Sequence, residues 1–293
     1  MAAIVTGSAG FIGRSLVRAL LDRGEHVVGI DRLHQTIEPG FTPITADLLD
    51  GDPRVYSALR DAGAVYHLAG CPGVRDQGVG IGRRRTRDNV LATRLVLAAV
   101  PIGVPLVVTS SSSVYGGARD GRPSLETDRM DPIGGYARSK AEVERLCAVR
   151  GGVTVVRPFT VAGEGQRPDM ALSRWIAAAR AGRPLRILGS PERTRDITDV
   201  RDTVRALIAL AWRNVGGVVN IGTGVGHTLR AMVKAVGDAL NIRPDWYVEP
   251  AAAEEVSDSL ADIRRLRELA GFTPVTDLTA VVARQAACLV DAR

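Results

Sequence analysis

Short apolar runs of strand length alternate with amphipathic stretches of helical period along most of this chain, and that alternation predicts parallel βαβ units. Ala2 to Thr6 is the first run, and Arg14 to Leu21 carries the 3.6-residue period after it. Further strands are expected at His26 to Ile30, just before Asp47, at Val65 to Gly70 with its exit, at Leu106 to Thr109 and at Val153 to Val156. Asn89 to Val100 reads as a helix closed by Pro101. After Thr160 a long excursion runs to Arg195, with a helix over Leu172 to Ala181 and a strand over Leu185 to Leu188. Val200 to Trp212 is expected to be helical and Val218 to Ile221 a strand. Thr228 to Leu240 and Leu278 to Leu289 are amphipathic helices. The expected fold class is α/β, a doubly wound parallel sheet with a smaller C-terminal α/β part.

The first junction carries chemistry. Strand, Gly7-Ser-Ala-Gly10-Phe11-Ile12-Gly13 and helix together form a phosphate-binding unit of the Rossmann kind. Small residues let backbone N–H groups approach a pyrophosphate, and the helix N-terminus adds partial positive charge. Asp31 ends the second strand eighteen residues after Gly13, where a carboxylate accepts both ribose hydroxyls and repels a 2′-phosphate. NAD is therefore favoured over NADP, and the neighbouring Arg32 weakens that preference. Asp47 and Leu48 are placed to meet adenine. Leu68, Ala69 and Gly70 are small enough for the backbone to lie along the cofactor, while His67 reads as a satisfied core residue. Serines Ser110 to Ser113 follow a buried strand and so face the ligand crevice.

Tyr136 and Lys140 stand four apart, one helical turn, on a predicted helix face. A phenol titrates near ~10, and a cation beside it favours the phenolate. The pair is a candidate general base or acid for a hydroxyl proton. The chain contains two lysines, Lys140 and Lys234, so a lysine at this position in an arginine-rich chain is a pointed choice.

Composition narrows the setting. With 293 residues, 45% hydrophobic and 24% charged, the chain can bury a sizeable core. No apolar run reaches membrane-spanning length, and the strand pattern starts at once, so no signal peptide and no membrane partner are expected. Three scattered cysteines and four isolated histidines suggest neither disulfides nor a metal site, which fits a cytoplasmic protein. The formal charge of +6 admits a polyanion. Arg83 to Arg87 is a dense basic run without aromatic neighbours, read as a solvated loop or helix start rather than a nucleic-acid surface.

Taken together, Thr6 to Gly13, Asp31, Asp47-Leu48, His67-Leu-Ala69, Asn89, the serine run with Val114-Tyr115-Gly116, and Tyr136 with Lys140 resemble the extended short-chain dehydrogenase/reductases of the NAD-dependent epimerase/dehydratase family. The resemblance covers nearly the whole length. It implies a Tyr136–Lys140–Ser111 catalytic set, tightly held NAD with Asn89, Thr109 and Pro158 among its contacts, and a nucleotide sugar as substrate. On that basis residues 1–160 and 195–222 would form the NAD-binding domain, and 161–194 with 223–293 the nucleotide-sugar part. Arg167, Arg174 and Arg195 would meet the diphosphate and Ile187 would line the sugar-nucleotide site. Asp258 to Asp262 is similar to the family's C-terminal signature, but the Arg usually found before it is absent from Ala251 to Glu255, where Glu255 would stand in for an Asp. Two amphipathic helices meeting a twin in a four-helix bundle would give a homodimer.

Family members begin by oxidising a sugar hydroxyl and differ in the step after it. Ser112 and Ser113 stand where dehydratases and decarboxylases resemble one another in carrying an acid, so simple return of the hydride, a 4-epimerisation, is expected. Cys71-Pro-Gly-Val-Arg75 and Thr160 are similar to the corresponding segments of UDP-glucuronic acid 4-epimerases. Hydroxyls of Ser111, Ser112, Ser113 and Thr160 could hold a C5 carboxylate. The expected reaction interconverts UDP-glucuronate and UDP-galacturonate. UDP-glucose/UDP-galactose epimerisation and decarboxylation of UDP-glucuronate are the alternatives.

Overall fold

The protein is described by a computed structural model that covers residues 1–73, 78–251 and 255–288. Its strands are β1 (Ala3–Thr6), β2 (Val27–Asp31), β3 (Phe41–Thr45), β4 (Ala64–His67), β5 (Leu106–Thr109), β6 (Thr154–Pro158), β7 (Thr160–Ala162), β8 (Leu185–Leu188), β9 (Thr194–Asp199), β10 (Gly217–Ile221), β11 (Gly226–Thr228) and β12 (Trp246–Glu249). The α-helices are α1 (Phe11–Leu21), α2 (Pro53–Arg60), α3 (Ile81–Arg85), α4 (Ala92–Ala99), α5 (Gly134–Arg150), α6 (Ala171–Arg180), α7 (Val200–Arg213), α8 (Leu229–Leu240), α9 (Arg264–Ala270) and α10 (Leu278–Cys288).

Seven strands form one sheet in the order β10-β6-β5-β4-β1-β2-β3, and every pairing in it is parallel. Side chains alternate across a strand, so this sheet has two apolar faces. Ala3, Val5, Tyr66, Val107 and Val156 pack on one face under α1 and α7. Ile4, Ile30, Val65, Leu106, Val108 and Val155 pack on the other under α2, α4 and α5. The strand order reverses between β1 and β4, which places a ligand crevice at the carboxyl ends of those strands.

A third core sits apart, built from α6, α8, α10, β8 and Ile197 of β9. The amphipathic faces of α8 and α10 pack on each other and on α6. Helix α9 departs from the expected division of the chain: its Leu266, with Ile263 and Phe272, packs in the core under α7, on the side of the large sheet. Two smaller sheets complete this half, β11-β9-β7 and β12-β8.

Two helices start earlier than the periodicity implies. Helix α1 begins at Phe11 rather than Arg14, taking Gly13 into its first turn. Asn89 does not open a helix; it lies in a π-helical segment, Thr86–Leu91, that joins α3 to α4. The basic run is therefore helical.

Candidate active site

The crevice floor begins at the glycine turn. Gly7 has φ +74°, and a Cβ on Gly13 would lie 2.0 Å from the Gly7 carbonyl oxygen, so α1 approaches β1 this closely because both are glycine. Gly10 caps α1 without a side-chain bond. The amides of Phe11, Ile12 and Gly13 thus open the helix without intrahelical acceptors. Asp31 lies against this turn, its Oδ2 accepting from the Ala9 amide at 3.0 Å and its Oδ1 from the Leu33 amide at 3.0 Å. Arg32 does not compromise Asp31. Its guanidinium turns to Asp88 at 3.0 Å and Asp47 at 3.5 Å, so its charge is neutralised away from the ribose position. Asp47 is held by Arg87 at 2.9 Å as well, and Leu48 is buried in the second core.

The opposite wall comes from β4, β5 and α5. Gly70 leaves no room for a side chain: a Cβ there would meet Asn89 Oδ1 at 2.7 Å and Lys140 Nζ at 3.7 Å. Asn89 is a brace. Its Oδ1 accepts from the Cys71 amide at 2.6 Å, and its Nδ2 donates to the Cys71 carbonyl at 3.2 Å and to Ser139 Oγ at 2.8 Å. Ser139 in turn donates to the Tyr136 carbonyl at 2.7 Å. The loop beside the crevice is thus tied to the backbone of Tyr136 itself. His67 is buried between Thr6 Oγ1 at 2.7 Å and Thr93 Oγ1 at 3.0 Å. Burial holds its pKa down to about 3, aided by the Lys140 charge, so it is a neutral core residue.

Tyr136, Lys140 and Ser111 come together. The Ser111 hydroxyl lies close enough to the Tyr136 phenol to favour its ionised form. Ser111 Oγ also caps the 3₁₀ turn Ser112–Tyr115 by accepting from the Ser113 amide at 3.2 Å. Lys140 Nζ donates to the Thr109 carbonyl at 2.8 Å. The electrostatics correct the expectation from sequence. Tyr136 is raised above the ordinary phenol value by burial, with Ser111, Arg167 and Arg85 opposing the rise, and Lys140 is not what sets it. Lys140 is itself pushed down to about 8 by burial. Beside this set, the Thr109 and Ser113 hydroxyls are buried without a hydrogen-bond partner among the described residues.

A model of the NAD dependent epimerase/dehydratase family matches residues 3–222. The chain belongs to that family. Its structure is similar to that of MoeE5 in complex with UDP-glucuronic acid and NAD, at 35% identity and a TM-score of 0.90 with all of both chains covered. It is similar also to UDP-glucuronic acid 4-epimerase from Bacillus cereus in complex with UDP-glucuronic acid and NAD, at 28% identity and a TM-score of 0.91, again over all of both chains. Among sequence relatives, YtcB of Bacillus subtilis (strain 168), described as an uncharacterized UDP-glucose epimerase, is 32% identical over 95% of this chain and 94% of its own.

The cofactor of this NAD dependent family fits the crevice. The open amides of α1, the Asp31 carboxylate and the unpartnered Thr109 hydroxyl suit a pyrophosphate, a ribose and an uncharged polar group in turn. Leu68 and Ala69 lie against Gly7, and Pro158 ends β6 on the same edge of the sheet. Among the described residues no cluster of His, Cys, Asp or Glu could hold a metal, and no helix is long and apolar enough to cross a membrane.

The expected substrate residues divide. Ser111, Ser112, Ser113 and Thr160 lie at the carboxyl ends of β5 and β6, and Arg167 is close enough to Tyr136 to bias its phenol. Arg195 and Glu255 are joined at 3.7 Å in the other half of the chain. Arg174 is exposed on α6. Ile187 is wholly buried in the third core, where β8 packs under α6, so its side chain lines no crevice. Arg75 falls outside the described residues.

One residue of the site escapes the reading of the sequence. Arg85, a member of the basic run expected to be solvated, is buried and donates to the Gly73 carbonyl at 2.6 Å. Its Nη1 fills the space where a Cβ on Gly135 would stand, at 2.9 Å, and its charge reaches Tyr136. It lies four residues before Asn89, hence on the same helix face. That spacing is the signal that could have found it, hidden because the apolar periodicity starts the helix only at Asn89.

Proposed function

We propose that the chain is a UDP-sugar 4-epimerase that interconverts UDP-glucuronate and UDP-galacturonate. The observation that carries this reading is the meeting of Ser111 with Tyr136, with Lys140 one helical turn along α5 and unacidic Ser112 and Ser113 beside them. Bound NAD supplies a hydride acceptor that can return the hydride. Tyr136 takes the C4 hydroxyl proton and gives it back, Ser111 orients that hydroxyl, and Lys140 fixes the Thr109 turn and the local positive field. No carboxylate stands at positions 112 and 113 to draw a proton from C5 or C6, which favours plain reversal at C4.

A uronic acid is favoured over a neutral sugar by charge and by chemistry. Arg85 and Arg167 both bias Tyr136, so an anionic ring substituent enters a positive field. The 4-keto uronic acid is a β-keto acid and loses CO2 when its carboxylate stands perpendicular to the ketone. Fixed donors, with the unpartnered Ser113 hydroxyl among them, hold that group out of the reactive orientation. Likeness to the UDP-glucuronic acid 4-epimerase of Bacillus cereus supports this choice. The test is incubation with UDP-glucuronate and product identification by NMR. UDP-galacturonate is expected; turnover of UDP-glucose with none of UDP-glucuronate overturns the choice of sugar, and a pentose product overturns the choice of reaction.

A further inference from the structure

Helix α7 carries two neighbouring rows of side chains, each at the four-residue spacing that keeps to one helix face. Val204, Ile208 and Trp212 form an apolar row, and Arg201, Arg205, Ala209 and Arg213 the row beside it. Val204 and Ile208 are buried, but 71% of Trp212 is exposed at the end of its row. Together with the end of α1 and the end of α9, these rows line a hollow of about 450 Å³ that opens to solvent. That is the size of a small-molecule site. Arg23 closes one side, past the end of α1 and roughly 15 Å of helix away from Phe11. The hollow therefore lies apart from the NAD crevice, where α1 begins.

The guanidiniums that line it are unequally engaged. Arg201 is held by Glu164 at 2.5 Å and Arg23 by Glu25 at 3.2 Å. Arg205 and Arg213 make no ion pair and no side-chain hydrogen bond among the described residues, and no Asp or Glu lines the hollow. The turn after α9 brings these two arginines together, although eight residues separate them on α7. Arg205 Cζ lies 3.9 Å from the centre of the Phe272 ring, and Arg213 Nη2 lies 3.9 Å from the place a Cβ on Gly271 would take. Stacking on Phe272 uses the face of the Arg205 guanidinium and leaves the N–H donors in its plane unspent.

The other end of the hollow is aromatic. Arg23 Cζ lies 5.3 Å from the centre of the Trp212 ring, and most of the indole still meets solvent. Unspent guanidinium forks select phosphate oxygens, which they bind in bidentate fashion. An exposed indole beside them selects a flat ring. Both demands fall in one hollow, so they fit one ligand that carries both groups.

We propose that this hollow is a second nucleotide site, separate from the crevice, which takes a nucleoside polyphosphate with its phosphates on Arg205 and Arg213 and its base against Trp212. Arg201 and Arg23, already paired, set the positive field at the rim.

The test is calorimetric titration of the NAD-loaded full chain with ATP and, separately, with inorganic tripolyphosphate, for wild type, Arg205→Gln, Arg213→Gln and Trp212→Leu. Expected is ATP binding to the wild type and a loss of about ten- to hundredfold in each arginine variant, as befits a lost charge-assisted bond. Trp212→Leu should weaken ATP by about tenfold and leave tripolyphosphate unchanged, because it removes the stack and not the charge. No binding of ATP by the wild type overturns the proposal. ATP affinity unchanged in both arginine variants does so too, since the nucleotide is then bound elsewhere. Equal affinity for ATP and tripolyphosphate, with Trp212→Leu affecting neither, overturns the nucleotide in favour of a bare polyphosphate. Melting of each variant without ligand separates a binding loss from a folding loss.

Discussion

Arg157→Met should lower both stability and turnover, because Arg157 closes a buried polar network under the active site. Arg157 and Glu144 are 3% and 6% exposed and share two bonds, Nε to Oε1 at 2.9 Å and Nη2 to Oε2 at 2.7 Å. Glu144 Oε1 also accepts from Ser110 Oγ at 2.5 Å. Arg157 Nη1 donates to Tyr115 Oη at 2.8 Å, and that phenol donates to Asn220 Oδ1 at 2.7 Å. Removing the guanidinium leaves a buried carboxylate facing one serine. Breaking such a pair from one side costs about 3–5 kcal/mol. Spread over an unfolding entropy of about 2.1 cal/mol/K per residue, that lowers the melting temperature by about 5–8 °C. Scanning calorimetry of the free chain measures it.

Two further variants test the pairing itself. Glu144→Gln in the Arg157→Met background should restore much of the loss, because it removes the stranded charge. Glu144→Leu with Arg157→Met should come close to wild type, since a buried ion pair is replaceable by apolar groups of similar volume. If the double variant instead falls by the sum of the singles, the two residues do not act as a pair. The catalytic consequence comes from position. Ser110 precedes Ser111, and Glu144 lies one helical turn beyond Lys140 on α5. Well below the transition, Arg157→Met should lose kcat toward the roughly 10²-fold that a misplacement of about 1 Å costs. Unchanged kcat would mean that the network supports the fold and not the site.

The remaining predictions concern single residues of the crevice. Tyr136→Phe should cut kcat by roughly 10²–10⁴ while NAD stays bound, measured by turnover and by cofactor absorbance in the purified protein. Gly135→Ala puts a Cβ 2.9 Å from Arg85 Nη1; the chain should fold, because the obstacle is a flexible side-chain end, but lose activity, and Arg85→Ala in the same chain should remove the clash without restoring the full rate. His67→Gln should flatten the acid side of the stability profile. The folded pKa of His67, about 3, lies below the unfolded value, so the wild type loses stability as pH falls from about 6.5 toward 3. Melts from pH 7 to 4 should show the wild type losing ground relative to the variant.

Much of the large sheet was legible because its strands are buried on both faces and therefore read as unbroken apolar runs. Leu106–Thr109 of that sheet stands where its run places it. Helix α1 was harder. Gly13 weakens a helix by local preference, yet the close approach to Gly7 requires it inside the first turn. Arg85 escaped for a related reason: counting charges along the chain registers exposure only on average, and which member of a basic run turns inward depends on where the helix starts. Ile187 was misplaced because alternation along β8 gives an inward position without telling a core from a crevice.

The Tyr136–Lys140 spacing was readable, but the sign of its electrostatics was not, because spacing reports adjacency and not desolvation. In the free chain burial outweighs the opposing groups and keeps the phenol protonated. That state has a physical advantage. A phenolate and an ammonium in this place would be two desolvated charges, each costly unless fully hydrogen-bonded. With the phenol neutral, the Lys140 ammonium is the charge of that pair left to satisfy, and the Thr109 carbonyl does so at 2.8 Å. The proton on Tyr136 is thus held until the crevice fills and the balance of charge and solvent around the phenol changes, so base strength belongs to the loaded site rather than to the Tyr–Lys pair alone.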